Sequence, residues 1–361
     1  MSIAESLEIE NIVKDWKTIK ETQPRLRMRE IASQLKTSEG GLLAASEISK
    51  AEGFPQVSSL LTNWGELFAK FGELGHVMVL TRNEACVHER KGIFEKVSSG
   101  PGHILVVGAD IDLRLFPGIW KFGFAVEEPK QDSIQRSFQF FNESGEAMFK
   151  LFLTDRSNIS AWEKLRSEFK NESPDFSSLF SSGTEKKTEI AEKKGLSPET
   201  KEEFLNDWGK LEDTHEFFSL LKKHGVSRIQ SMEIADGKFT KTVETKAVLR
   251  MLEMASLDRT PIMVFVGNPG SIQIHTGEVT NIKVLESWWN VLDSEFNLHL
   301  RSDLISKVYI VAKPSKDGVI HSMEVYDADG ELIVQFFGKR KPGQAERTDW
   351  IGLLDKVSEP A

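Results

Sequence analysis

The sequence predicts an α+β protein built from two tandem homologous halves, each a large antiparallel sheet with helices. Three observations carry that prediction: a long internal repeat, strand-and-turn patterning inside it, and helix signals ahead of the strands in each half. The repeat comes first, because a missed repeat misassigns the whole fold. Val77-Met78-Val79-Leu80-Thr81-Arg82-Asn83 recurs as Ile262-Met263-Val264-Phe265-Val266-Gly267-Asn268, and 268 − 83 = 185. Gly92 and Gly277, Leu113 and Leu298, Pro129 and Pro314, Ser137 and Ser322, Gly145 and Gly330, and Phe152 and Phe337 keep the offset of 185. One ungapped register therefore covers residues 77–152. A period of that length is a domain and not a solenoid unit.

The strand signals inside the repeat are short runs rich in β-branched and aromatic residues. They fall at Val77–Leu80, Ala85–His88, His103–Val107, Leu113–Phe116, Phe122–Val126, Arg136–Phe141 and Ala147–Leu153. Asn142-Glu143-Ser144-Gly145 and its counterpart Asp327-Ala328-Asp329-Gly330 read as hairpin turns, so consecutive strands form an antiparallel meander. Helical spacing marks residues 8–22, 25–36 and 156–171. The stretch Met28 to Ala45, with Thr37-Ser38-Glu39 opening its second helix, resembles a helix–turn–helix; a plain packing pair has the same pattern. Residues 172–196 are rich in Ser, Lys and Glu and read as a linker between halves at 1–171 and 197–361. Order is expected to resume at Ser197-Pro198, an N-cap followed by proline at the first helical position. Asp213-Thr214-His215-Glu216 has capping-box form, and Gly225 suits the end of the helix that follows. Phe217, Phe218, Leu220 and Leu221 are expected to give that helix an apolar face.

Composition removes several function classes. A chain 39% hydrophobic and 28% charged is ordinary for globular domains, and each half is long enough to bury a core. The net charge of −9 argues against a general nucleic-acid binder, which needs a basic surface to neutralise phosphates. The single cysteine, Cys86, excludes an intramolecular disulfide and any multi-cysteine metal site. The acidic opening stretch carries no signal-peptide apolar core, and no apolar run is long enough to span a bilayer. A cytoplasmic location without membrane insertion is expected.

Common catalytic motifs are missing from the sequence: no nucleophile elbow, no Walker loop, no dinucleotide fingerprint and no paired zinc histidines. Val266-Gly267-Asn268-Pro269-Gly270 is glycine-rich but sits between strands, with no helix to cradle a phosphate. Among eight histidines, His215 stands apart because it begins a helix beside two phenylalanines. A helix N-terminus favours neutral imidazole, and a neutral ring nitrogen is what a metal needs. A purely structural histidine fits the same position. Asp112-Leu113-Arg114-Leu115 becomes Asn297-Leu298-His299-Leu300 in the second copy. The leucines take one strand face, so Arg114 takes the other. Gln335 and Phe337 share a strand face, Lys313 closes an earlier strand, and Arg340 follows Phe337-Gly338. Cations at strand ends beside an aromatic suit an amphipathic anion such as a carboxylated aromatic ring, and equally suit plain solubilising ends.

At these residues the chain resembles the hemin-degrading factor family, the cytoplasmic heme-utilisation proteins of Gram-negative bacteria. The matching stretches in the first half are Leu80-Thr81-Arg82-Asn83-Glu84, Val87-His88-Glu89, Ile111-Asp112-Leu113-Arg114, Phe122-Gly123-Phe124-Ala125-Val126 and Gln139-Phe140-Phe141. In the second half they begin with Asp213-Thr214-His215-Glu216-Phe217-Phe218 and Val266-Gly267-Asn268-Pro269-Gly270. Ile272-Gln273-Ile274-His275-Thr276-Gly277 and Phe296-Asn297-Leu298-His299-Leu300 follow, then Lys313-Pro314-Ser315-Lys316-Asp317-Gly318 and Phe337-Gly338-Lys339-Arg340.

The resemblance implies two heme-utilisation repeats in a saddle-like arrangement, with one heme (iron protoporphyrin IX) held between the halves. It implies His215 as the axial ligand to iron and Arg114 as the distal arginine, the pair that any catalysis would use. Lys313, Gln335 and Arg340 fall on the propionate side and pocket, with Phe265 and Phe337 as apolar wall. Phe337 stands where some relatives carry tyrosine, so that hydroxyl is absent here. Two activities are consistent with the resemblance: reductant-dependent degradation of heme with release of iron, or chaperoning of heme to a separate heme oxygenase. A heme importer, a reductase and a heme oxygenase are the implied protein partners. A regulator acting through residues 28–45 is a third and weaker reading, because the chain is acidic.

Overall fold

A computed structural model describes residues 3–180, 197–341 and 343–359. The helices in chain order are α1 (Ile3–Thr22), α2 (Met28–Gln34), α3 (Glu39–Ser49), α4 (Trp64–Ala69), α5 (Ile159–Glu168), α6 (Ser177–Phe180), α7 (Pro198–Trp208), α8 (Glu216–His224), α9 (Arg228–Ile234), α10 (Ala247–Leu257) and α11 (Thr348–Val357). The strands of the first repeat are β1 (Gln56–Ser59), β2 (Gly75–Arg82), β3 (Cys86–Ile93), β4 (Lys96–Gly100), β5 (His103–Val107), β6 (Asp112–Leu115), β7 (Phe122–Pro129), β8 (Ile134–Phe141) and β9 (Ala147–Ser157). Those of the second are β10 (Thr240–Val243), β11 (Ile262–Asn268), β12 (Ser271–Gly277), β13 (Ile282–Leu285), β14 (Trp288–Leu292), β15 (Phe296–Arg301), β16 (Lys307–Ser315), β17 (Gly318–Tyr326) and β18 (Leu332–Gly338). The class is α+β with two large antiparallel sheets, as the sequence predicts.

The chain divides into two compact units. Unit 1 comprises residues 1–81, 90–189 and 268–272; unit 2 comprises 82–89, 190–267 and 273–361. Within unit 1 the meander runs β1-β7-β8-β9-β2, and within unit 2 it runs β10-β16-β17-β18-β11. The repeat is exact at the level of register. Ser137 pairs with Phe152 in unit 1, and Ser322 pairs with Phe337 in unit 2. A bulge falls between Phe140 and Phe141, and again between Val325 and Tyr326, each 185 residues on. Both hairpin turns form by one device. The Oδ1 atoms of Asn142 and Asp327 each accept backbone N–H groups two and four residues on, while Gly145 and Gly330 take positive φ of 77° and 85°.

Alternation along the strands feeds a core on each sheet face. In unit 2, Tyr309, Val311 and Tyr326 pack under α7, α8 and α9, with Phe204, Trp208, Phe217 and Leu221. Val308, Met323, Val325 and Phe336 point the other way, onto α10 and α11. Gly338 must be glycine there, since a Cβ would lie 2.6 Å from the Trp350 ring. Unit 1 repeats the scheme, with α1–α3 on one face and α4 and α5 on the other. Cys86 is fully buried, and burial pushes its thiol well above the ordinary range.

Within the stretch 172–196 read as a linker, Phe176 and Phe180 are buried against α1 and α3, because two aromatics among serines suffice to anchor a short helix. Residues 181–196 lie outside the described residues. The helix pair α2–α3 is a packing unit. Glu39 through Ser46 are all buried, and a Cβ on Gly40 would sit 2.9 Å from the Gly145 Cα. A recognition helix needs an open face that α3 lacks. Finally, β1 and β4 were not foreseen; both are short and largely polar. Among the described residues, no helix is long and apolar enough to cross a membrane.

Candidate functional site

The most informative residue of unit 2 is His215, which precedes the first residue of α8 with helical backbone angles (φ −70°, ψ −23°). The capping box expected from the sequence forms only in part. Glu216 accepts the Asp213 backbone N–H at 3.3 Å and the Glu212 N–H at 3.1 Å, as a reaching-back glutamate should. Asp213 instead folds its carboxylate onto His215. Its Oδ1 accepts the His215 backbone N–H at 2.8 Å and pairs with the imidazole Nδ1 at 2.6 Å. A carboxylate at that distance holds the proton on Nδ1, so the Nε2 lone pair is available. The His215 side chain is 93% exposed. The Asp213 carboxyl is held below the usual range, first by the His215 backbone N–H and then by its imidazole, with Arg340 adding a smaller pull.

Phe217 and Phe218 cannot both face the core, since neighbours on a helix are about 100° apart. Phe217 is buried over the sheet, whereas Phe218 is 75% exposed, which corrects the expected apolar face. Phe218 stands three residues from His215, on the same side of the helix.

Beneath α8, register sets the sheet face. Phe265 pairs with Gln335, and Gln335 with Glu324; Met263 pairs with Phe337, and Phe337 with Ser322. Lys313 lies on β16 opposite Ile320, with the same facing. Phe265 and Phe337 meet edge to face at 5.1 Å. The sequence thus identified five residues on one unit 2 face or at its edge: Phe265, Lys313, Gln335, Phe337 and Arg340. It missed Met263, Glu324 and Arg228.

Glu324 organises that face. It is fully buried and accepts from Arg228 Nε at 2.9 Å and Nη2 at 2.8 Å, Lys313 Nζ at 2.6 Å, Tyr326 Oη at 2.6 Å and Gln335 Nε2 at 3.0 Å. Phe217 caps the two cations, its ring centre 4.6 Å from Lys313 Nζ and 5.4 Å from the Arg228 guanidinium. Burial works against ionised Glu324, but Arg228 and Lys313 outweigh it and hold the carboxyl well below the usual range. The Lys313 ammonium is buried and shares the single carboxylate of Glu324 with Arg228, so in this arrangement it is an internal partner and not an exposed cation.

Burial pulls Lys313 down to about 8 despite Glu324, and Arg228 adds to the fall. Its folded value lies below the ordinary 10.5, so the unfolded chain keeps the proton to higher pH. The penalty for burying the charge is full below pH 8 and fades towards 10.5. Wild type should therefore gain stability relative to Lys313→Met across that window, measured by urea unfolding at stepped pH. A flat difference counts against it.

Arg340 sits at the edge of the same region. Its Nη2 reaches Asp317 at 3.3 Å, and its buried Nε has no partner among the described residues. A guanidinium with an unused N–H fits a carboxylate. Arg114 belongs to unit 1, on β6. It forms an ion pair with Asp112 and donates to the Leu113 carbonyl at 3.1 Å. Burial raises the Asp112 carboxyl, and Arg114 opposes that shift. In unit 1 the position of Glu324 is held by Gln139 and that of Gln335 by Lys150, since 324 − 185 = 139 and 335 − 185 = 150. Lys150 on β9 pairs with buried Glu39 of α3, so unit 1 also holds a buried ion pair, with its acid on a helix and its lysine on the strand equivalent to β18.

A duplicated antiparallel domain whose unit 2 carries an exposed, carboxylate-oriented histidine and a mixed aromatic and cationic sheet face has the features of a ligand-binding protein. The chain belongs to the haemin-degrading HemS/ChuX domain family, whose model matches it twice, at residues 37–169 and 225–357. It is 31% identical to the hemin transport protein HemS of Yersinia enterocolitica over 81% of this chain and 83% of that one. Among solved structures it is similar to holo-PhuS, a heme-binding protein from Pseudomonas aeruginosa. The TM-score is 0.88 at 40% identity, covering 96% of this chain and 98% of that one. It is also similar to ChuS, an E. coli heme oxygenase, with a TM-score of 0.83 at 27% identity, covering 96% and 99%.

Proposed function

We propose that this chain binds one heme through His215 Nε2 and takes part in the use of heme iron in the cytoplasm. The observation that carries the reading is the Asp213–His215 pair. It fixes the Nδ1 proton and leaves an exposed nitrogen of the kind that ligates iron. Phe265, Phe337 and Met263 supply apolar surface, and Phe218 adds an exposed ring beside the ligand. Arg340 offers its unused N–H to a propionate, while Gln335 and Lys313 act through Glu324 and keep that face in place. Arg114, ion-paired with Asp112 on β6, is proposed as a further cation that would act on bound heme. When bound, heme supplies redox-active iron that the chain itself lacks.

Two fates for the heme are supported by different observations. Degradation is favoured by the family's haemin-degrading description and by the oxygenase assignment of ChuS. Delivery to a separate oxygenase is favoured by the exposure of His215, since a ligand open to solvent is easily exchanged. Hemin titration should give a saturable one-to-one shift of the Soret band; its absence would sink the heme reading. Adding a reductant and reductase with catalase present then separates the fates. A tetrapyrrole product with released iron supports degradation. Unaltered heme passing to an added heme oxygenase supports delivery, and an importer would be the donor in that chain of transfer.

A further inference from the structure

We propose that Asp213 is a positioning residue that selects the ring nitrogen His215 presents to heme; this rests on the heme reading above. An exposed histidine in water exchanges between two tautomers and several ring orientations, so an unconstrained ligand presents the correct nitrogen only part of the time. Asp213 removes that freedom with a single oxygen. Its Oδ1 takes both the backbone N–H and the Nδ1 of His215, closing a ring in which the imidazole cannot turn without losing a 2.6 Å contact.

The carboxylate is itself held. The Asp213 backbone N–H donates to Glu216, and the Asp213 carbonyl accepts the Glu216 N–H at 3.0 Å. The preceding Glu212 is tied to the β16–β17 turn, its carbonyl by the Lys316 N–H at 2.9 Å and its carboxylate by Lys316 Nζ at 3.1 Å. Three successive supports therefore fix one imidazole: the turn fixes Glu212, the helix start fixes Asp213, and Asp213 fixes His215. A histidine serving only as a helix cap needs none of this, and the His215 side chain makes no capping bond. A carboxylate behind Nδ1–H also makes the opposite nitrogen a stronger donor to a metal.

The test begins on the apo protein. Long-range proton–nitrogen correlation spectra, with His215→Ala to identify the signals, should give the Nδ1–H tautomer as the dominant form of His215. Asp213→Ala should shift the population to the Nε2–H form, and Asp213→Asn, whose amide oxygen still accepts, should retain Nδ1–H. With hemin, Asp213→Ala should weaken binding by about 10–100-fold. Asp213→Asn should recover most of that affinity, yet lower the iron–histidine stretching frequency of the reduced complex, because the charge behind the ring is gone. If Asp213→Ala keeps the wild-type tautomer and the wild-type stretching frequency, the proposal is overturned while the heme reading stands. If His215→Ala leaves the heme spectrum unchanged, the ligand assignment fails and the proposal fails with it, whatever the tautomer.

Discussion

Glu324→Gln lowers the melting temperature of unit 2 by about 10 °C, corresponding to a loss of roughly 3–5 kcal/mol. Glu324 is the only carboxylate among the groups bonded to it, and it faces both Arg228 and Lys313 at hydrogen-bond distance. Glutamine keeps the shape and loses the charge, so two cations remain around a neutral amide. The hydrogen bonds from Tyr326 and Gln335 survive in part and are worth about 1 kcal/mol each, too little to offset the unpaired charge. The double variant Glu324→Gln/Lys313→Met should recover part of the loss, because it removes the cation that Arg228 repels. Differential scanning calorimetry of the four proteins in the cycle measures both terms. A loss in the double variant equal to the sum of the losses in the two single variants would show that Lys313 and Glu324 are not coupled.

His215→Ala weakens hemin binding by about 100-fold, or ~2.7 kcal/mol, and changes the Soret and charge-transfer bands. The substitution removes the proposed ligand nitrogen without touching a core: the side chain is exposed and Phe217, two residues on, keeps α8 packed on the sheet. Stability should therefore stay within about 0.5 kcal/mol of wild type. That separation matters, since a fall in affinity accompanied by unfolding says nothing about ligation. Added imidazole should restore the wild-type band positions in the variant. An unchanged spectrum without imidazole assigns the iron to another residue.

Much of the fold was legible because the repeat amplified a weak signal. A single run such as Val77–Leu80 is ambiguous, but two copies at a constant offset, each ending in a turn with an Asn or Asp and a glycine, fix both strand and register. The short polar strands β1 and β4 carry little alternation to read. Phe176 and Phe180 were lost in a serine-rich stretch because composition averages over the two residues that matter. The site divides in the same way. His215 announces itself through local chain geometry, and Asp213 lies two residues away. Glu324 does not, because its partners come from α9, β16 and β18, and a glutamate in a strand otherwise reads as a solvated residue. The one available signal was the mismatch at the repeat offset, glutamine at 139 against glutamate at 324. The burial of Lys313 was hidden for a related reason: spacing places a lysine at a strand end, but only the packing of Phe217 above it turns that end into an interior.

The altered placement of the buried ion pairs restricts how the gene for this chain can change. Two similar stretches in one reading frame invite recombination, which copies one over the other. Copying the β8–β9 segment onto β17–β18 would put glutamine at 324 and lysine at 335, leaving Arg228, Lys313 and the new lysine with no acid on that face. The reverse copy would put glutamate at 139 and glutamine at 150, stranding Glu39 beside a second acid. Each product carries unbalanced charge in a protein interior, where it is most costly. Sequence exchange between the halves is thus selected against at the level of folding, and the two copies are free to drift apart in use while their backbones stay alike.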